Sequence, residues 1–322
     1  MSGNFMKAAA FADFGGPEVL SVMSRPMPEA GPGQVRVRIK AAGMQPFDTA
    51  VRAGWTPPGL TDPLPRIPGN EFAGVIDQVG PGVVDQGSPG VVGQGEPGVR
   101  LDVGAEVLGF SLLNSYAEYI VVPATDVTLK PPEIPWEVAG ALTAAVQTAD
   151  IAIGQLNPVA GETLLVHAAA GAVGSVAVQL AVRRGATVIG TAREENHAYL
   201  RDLGAVPVAY GDGLASRVRA LAPGGVDAAL DGAGGAALDV SLELVPDRGR
   251  ILTMVDHGKA DELGIMVTKG VRTAERLARY AALVAKGELK FLIRRTYRLE
   301  EAADAHREIE TRHGRGKLAL LI

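Results

Sequence analysis

The sequence predicts an α/β protein in two parts, an antiparallel β-barrel-like domain and a doubly wound parallel sheet. Three observations carry that prediction. The first third alternates apolar and polar residues with period two, between dense prolines and glycines. From about residue 137, strand-like and helix-like segments alternate. Between them, Leu164-Leu-Val-His-Ala-Ala-Ala-Gly-Ala-Val-Gly174 runs from an apolar stretch through a small-residue turn straight into a helical pattern.

The elements follow in chain order. Val35–Ile39 alternates apolar and basic residues, the mark of a half-buried strand. Phe72–Val79 and Ala117–Val122 read as further strands of the same domain. Residues 81–104 hold an octad repeat, Pro81–Ser88, Pro89–Glu96 and a weaker Pro97–Gly104. Three octads are too few and too glycine-rich for a solenoid. They read as a lengthened surface loop between two strands, with a lid or partner loop as the functional alternative. The second part contributes strands at Thr163–His167, Thr187–Thr191, Val206–Tyr210, Asp227–Asp231 and Arg250–Val255. Helices are expected at Glu194–Leu203, Ala236–Leu244, Val271–Lys286 and Leu299–His313. Lys317–Ile322 reads as a terminal strand returning to the first domain.

Composition narrows the function classes. A chain of 322 residues with 47% hydrophobic and 21% charged content can build two domains and a large core. A net charge of −5 gives no basic footprint for nucleic acid. No apolar run reaches the roughly 18 residues of a membrane span. The first residues lack a signal-peptide layout. There is no cysteine, hence no disulfide, thiolate metal site or cysteine nucleophile. A cytoplasmic location is the expectation.

The turn after Val166 suits a dinucleotide. Ala169, Gly171 and Gly174 stand at the three glycine positions of G-x-G-x-x-G. The second lets the backbone approach a pyrophosphate, and the third lets the helix pack close to the strand. The helix N-terminus turns free N–H groups toward the phosphates. Ala169, Ala170, Gly171, Ala172, Val173 and Gly174 are the candidate cradle. The acidic residue that holds the NAD ribose sits about 20 positions further on. Here that place holds Thr191 and Ala192, followed by Arg193. A neutral pocket with a guanidinium suits a 2′-phosphate, so NADPH is the expected cofactor.

These pieces resemble the medium-chain dehydrogenase/reductase superfamily, in its zinc-free quinone oxidoreductase branch. The resemblance runs through Ala41–Asp48, Pro68–Gly74, Val166–Gly174, Asp231–Gly235 and Gly314–Lys317. It implies a GroES-like catalytic domain (1–127 and 268–322), a Rossmann cofactor domain (128–267), and an active site between them. Zinc-dependent members carry a cysteine where this chain has Gln45 and a histidine where it has Asn70. Glu71 remains, but catalytic zinc takes about three protein ligands. Without a metal no Lewis acid stabilises an alkoxide. Hydride delivery to a quinone or an α,β-unsaturated carbonyl compound is then favoured. The resemblance further implies Thr148 near the nicotinamide, Tyr210 at the cofactor phosphate, and contacts from Gly232, Met254 and Lys317.

Candidates for polarising the acceptor are Gln45, Asp48 and Trp55, with Thr56 beside them. Related enoyl reductases often place a tyrosine proton donor near Trp55, and an indole N–H is no practical proton source. Solvent or Tyr116 could supply the proton instead. His167 reads as a satisfied histidine beside the cofactor loop, and His197, His257, His306 and His313 as surface residues. The expectation is a zinc-independent NADPH-dependent oxidoreductase acting on a small molecule, most simply as a homodimer covering an edge strand. Enoyl or alkene reduction in secondary metabolism is one alternative. An NADPH-binding structural or regulatory protein with little turnover is the other.

Overall fold

The computed structural model describes residues 4–61, 63–83 and 101–322. Residues 84–100, which hold most of the octad repeat, lie outside the described residues.

The first part opens with a hairpin of β1 (Phe5–Ala10) and β2 (Ser21–Pro26). Next come β3 (Gln34–Met44), helix α1 (Pro46–Arg52), β4 (Glu71–Val79), β5 (Glu106–Phe110), β6 (Tyr119–Pro123) and β7 (Val127–Leu129). The alternation read from the sequence places Val35, Val37 and Ile39 of β3 in the core. Arg36, on the opposite face, forks onto the Asp77 carboxylate at 2.9 and 3.0 Å. β3 pairs antiparallel with both β4 and β6.

Helix α2 (Trp136–Leu156) links the two parts. The sequence signals do not single it out, for a physical reason. Its alanines, Leu142, Val146 and Ile153 are buried on nearly every face, so it shows no clean amphipathic stripe. No described helix is long and apolar enough to cross a membrane.

The second part is β8 (Thr163–Val166), α3 (Ala172–Arg183), β9 (Thr187–Ala192), α4 (His197–Asp202), β10 (Val206–Ala209), α5 (Leu214–Leu221), β11 (Ala228–Asp231), α6 (Ala236–Leu244), β12 (Ile251–Thr253), α7 (Ala260–Leu263) and β13 (Met266–Val267). Its strands form one parallel sheet in the order β10-β9-β8-β11-β12-β13. That is the 3-2-1-4-5-6 order of dinucleotide-binding sheets. The strand order reverses between β8 and β11, where such sheets bind their ligands. The strand expected at Arg250–Val255 is shorter. The Thr253 hydroxyl accepts hydrogen bonds from the Val255 and Asp256 N–H groups and turns the chain there.

The chain then returns through α8 (Ala274–Ala285), β14 (Ile293–Arg298), α9 (Ala302–Glu310) and β15 (Lys317–Leu321). β15 pairs antiparallel with β3, Leu318 opposite Met44, as the terminal strand was expected to do. One expectation is corrected here. His306 is fully buried, because α9 turns it inward with Ala302 and Ala305. Its ring meets Tyr116 edge-on at 5.8 Å, and burial beside the Arg52 cation pushes its pKa down to about 3.

Candidate active site

The turn after β8 is held open by its neighbour strand. The Thr191 hydroxyl accepts from Ala168 N at 3.2 Å, and the Thr191 carbonyl accepts from Ala169 N at 3.1 Å. Ala168 thereby sits at φ +55°, a conformation L-residues rarely adopt. Gly174 is closed in: a Cβ there would lie 2.4 Å from Ala168 O and 2.8 Å from Ala169 Cα. Gly171 meets only Ala168 O, at 3.2 Å, and caps α3 with no side chain over its N–H groups. Ala169, Ala170 and Gly174 are buried, whereas Gly171, Ala172 and Val173 are half-exposed. The cradle's accessible part is therefore the one that would meet a pyrophosphate.

Around it, Gly232 adjoins Met254 and the loop: a Cβ on Gly232 would lie 3.2 Å from Met254 Cε and 3.5 Å from Ala168 Cβ. Buried Asp231 holds this second turn, accepting from the N–H groups of Ala233 and Gly234 and from the Thr253 hydroxyl. At the ends of adjacent strands, exposed Arg193 donates from Nε to the Tyr210 hydroxyl at 3.0 Å. His167 is satisfied, as expected: its Nε2 is 3.0 Å from Ser241 Oγ, and burial lowers its pKa to about 4. These groups fit a nicotinamide dinucleotide.

A buried polar cluster lies at the start of α1, linked to the turn through Gly316, whose N–H donates to Ala170 O. Asp48 is fully buried and accepts from Gln45 N at 2.9 Å, Gly69 N at 3.2 Å and the Tyr116 hydroxyl at 3.0 Å. Burial pushes its carboxyl up to about 7, although the Gln45 N–H, the Lys317 charge and the Tyr116 hydroxyl pull the other way. Tyr116, itself fully buried, has its pKa raised well above the ordinary value by that burial. Its hydroxyl is committed to Asp48.

Lys317 joins this cluster. Its Nζ lies 2.6 Å from Glu71 Oε1 and donates to Gln45 Oε1 at 3.2 Å. Glu71 Oε2 accepts from Ala144 N on α2 at 2.6 Å. Gln45 Nε2 donates to Asn70 Oδ1. Arg272, in the segment before α8, donates from Nη1 to the Asn70 carbonyl at 3.2 Å. Burial lowers the pKa of Arg272 despite the nearby carboxylates of Glu71 and Asp48. The residue was missed by sequence reasoning, since a single arginine in a polar connection carries no spacing signal. Gln147 of α2 anchors the same segment by accepting from Thr273 N at 2.8 Å. Thr148, next to it, is half-buried.

Gln45, Asp48 and Lys317 are thus brought together, and the backbones of Trp55 and Thr56 follow at the far end of α1. The seven-residue helix separates the ends by roughly 10 Å. Trp55 is exposed and meets Phe47 edge-on at 5.5 Å.

The raised Asp48 pKa makes a stability prediction. Unfolded aspartate titrates near 3.9. The folded protein therefore keeps this proton over a range where the unfolded chain has released it. The contribution is complete below about pH 4 and is lost as pH rises through about 7. Asp48→Asn cannot titrate. Urea denaturation should show wild type losing up to about 4 kcal/mol more than the variant between those limits.

A small-residue turn at the switch point of such a parallel sheet, with a second, β-rich part beside it, is the architecture of two-part nicotinamide-dependent oxidoreductases. Comparison with known proteins narrows the class. Residues 31–132 match the alcohol dehydrogenase GroES-like domain and residues 203–320 the zinc-binding dehydrogenase family. The chain is 32% identical to a quinone oxidoreductase of Pseudomonas aeruginosa, over 98% of this chain and 99% of that one. It is 29% identical to a chloroplastic NADPH-dependent alkenal/one oxidoreductase of Arabidopsis thaliana, over 98% of this chain and 79% of the relative. The solved quinone oxidoreductase of Coxiella burnetii superposes with a TM-score of 0.85 at 29% identity, covering 99% of this chain and 100% of that one. The chain belongs to the medium-chain dehydrogenase/reductase superfamily, in its quinone oxidoreductase-like branch.

The matched family raises the question of zinc, and the donor set does not fit it. The amides of Gln45 and Asn70 bond to each other, and the Glu71 carboxylate is taken by Lys317 and Ala144 N. Among the described residues no three His, Cys, Asp or Glu side chains group as metal ligands.

Proposed function

We propose that this protein is a zinc-independent, NADPH-dependent oxidoreductase that reduces a quinone or an α,β-unsaturated carbonyl compound. The observation that carries the reading is the polar cluster itself. Gln45 and Asn70, where zinc ligands would stand, bond to each other, and the Lys317 ammonium beside them pairs with Glu71 and donates to Gln45. Such a site offers hydrogen-bond donors to an acceptor that is already electron-poor.

The bound dinucleotide supplies a hydride from C4 of its nicotinamide. The turn Ala169–Gly174 would hold the pyrophosphate, with Gly232, Met254 and Thr148 toward the nicotinamide. Thr191 leaves room at the adenosine ribose, and the Arg193–Tyr210 pair supplies a guanidinium and a hydroxyl for a 2′-phosphate. Gln45 would stand on the acceptor's side, with buried Asp48 holding the α1 turn beneath it and the exposed Trp55 ring, which reaches back to Phe47, as a wall. A homodimer in the cytoplasm completes the proposal, with the open edge of β13 supporting a dimer joined sheet to sheet.

The test is oxidation of NADPH and of NADH, followed by absorbance, with quinones and conjugated enones in parallel and with a chelator present. Turnover with NADPH that survives chelation is expected. Tight binding without turnover of any acceptor would favour a non-enzymatic role instead. Arg193→Ala should raise the KM for NADPH about 10–100-fold, the worth of a charge-assisted contact, and leave that for NADH nearly unchanged. Equal effects on both cofactors would remove Arg193 from the phosphate site.

A further inference from the structure

A cation at one end of a hydrogen-bond chain decides which way the amides along it face. The Lys317 ammonium has donors only. It is 5% exposed and ion-paired to Glu71, which has no exposure at all. The side-chain atom of Gln45 that meets this ammonium is Oε1, at 3.2 Å. Nε2 then points the other way, and it donates to Asn70 Oδ1. With its oxygen so engaged, Asn70 is left with Nδ2, whose two N–H groups have no acceptor among the described residues. The backbone of Asn70 is clamped as well: its carbonyl accepts from Arg272 Nη1 and from Ser111 N, both at 3.2 Å. The polarity therefore runs one way, from ammonium through two amides to a pair of unused donors. Those donors stand on the residue that takes the place of a zinc-ligating histidine.

We infer that Asn70 Nδ2 donates the hydrogen bond that polarises the acceptor's carbonyl oxygen. Gln45 and Lys317 are positioning residues that fix its direction. The inference rests on the proposed reduction of a carbonyl-conjugated acceptor. The bookkeeping of an enone is simple. Its β-carbon gains the hydride, with both electrons, and the alkene π pair shifts so that negative charge gathers on the carbonyl oxygen. The Asn70 N–H groups meet that charge, and a proton from solvent at the α-carbon completes the reduction. One NADPH and one proton are consumed. A preorganised donor of this kind does in part what a metal would do, without a change of charge in the site.

Gln45→Glu tests the direction without removing an atom from Asn70. The new carboxylate pairs with Lys317 and offers Asn70 only oxygen, so the Asn70 amide turns over and presents Oδ1 to the acceptor. Asn70→Asp removes the N–H groups outright. Each variant should lower kcat/KM for cyclohexenone or benzoquinone roughly 100-fold, the usual cost of one such donor, with the dissociation constant for NADPH unchanged. The double variant should be no slower than the slower single one, because both changes remove the same hydrogen bond.

A second readout needs no turnover. In the complex of the protein with NADP+, the carbonyl stretch of isotope-labelled cyclohexenone should fall in frequency in wild type and recover in both variants. Wild-type turnover with the band shift intact in both variants would overturn the inference, as would losses that multiply in the double variant. A wild type that shows no shifted band overturns it too. A wild type that shifts the band but turns over nothing leaves the donor in place and removes the enzymatic reading.

Discussion

Gly174→Val is expected to abolish measurable cofactor binding and to destabilise the fold by about 3 kcal/mol or more. A side chain at this position begins with a Cβ 2.4 Å from Ala168 O and 2.8 Å from Ala169 Cα. Both neighbours are backbone, so no rotamer change relieves the contact. Helix α3 would have to back away from β8, a central strand of the parallel sheet. Ala168 would be pushed from its φ of +55° and the Thr191 bonds that hold the turn would stretch. The contrast is Gly171→Ala. Its Cβ meets one atom at 3.2 Å, and the backbone there is ordinary. That variant should keep its denaturation midpoint and, on the proposed cofactor site, lose affinity for NADPH, because its methyl group would stand in the pyrophosphate's approach. Urea denaturation and a fluorescence titration with NADPH separate the two cases. Equal stability of both variants would show that α3 does not depend on the close approach.

The second large effect is expected from Lys317→Met. The methionine fills the stem of the lysine but leaves the Glu71 carboxylate buried without its ammonium. Breaking one side of a buried pair costs about 3–5 kcal/mol, since the remaining charge keeps its desolvation cost. Among the described residues, the Ala144 N–H and the field of Arg272 remain to compensate. Adding Glu71→Gln should return most of the loss, because a neutral amide is far cheaper to bury than a carboxylate. Thermal denaturation of the two variants reads this directly. A single variant as stable as wild type would mean that Glu71 takes up a proton or reaches water at no cost.

Much of this was legible in the sequence because it is local. The segment after Thr163 is one strand, one turn and one helix, and the spacing of Ala169, Gly171 and Gly174 predicted that local shape. Lys317–Ile322 reads as a strand and is one, at Lys317–Leu321. The placement of Gln45, Asn70 and Glu71 against zinc-ligand positions could be read without coordinates. What escaped depends on distance. Helix α2 shows no stripe because it is buried all round. His306 lies on a short helix whose apolar face became evident only with Tyr116 and Arg52 against it. Arg272 reaches Asn70 across some 200 residues. Nothing in either segment names the other. The strand order of the parallel sheet is likewise a matter of pairing, which alternation of strand and helix leaves open.

The last strand also carries a consequence for biosynthesis. β15 closes against β3, and just before it Gly316 N donates to Ala170 O in the cofactor turn. A ribosome emits β3 early and β15 only after the whole intervening sheet. During translation the Ala41–Met44 end of β3, beyond the reach of β6, therefore waits with one edge unpaired, and such an edge invites pairing with another chain. The same few residues that seal that edge also deliver Lys317 to Glu71 and pin the cofactor turn. Maturation of the site and protection from aggregation are thus a single late event, and a nascent chain stalled before it would have neither.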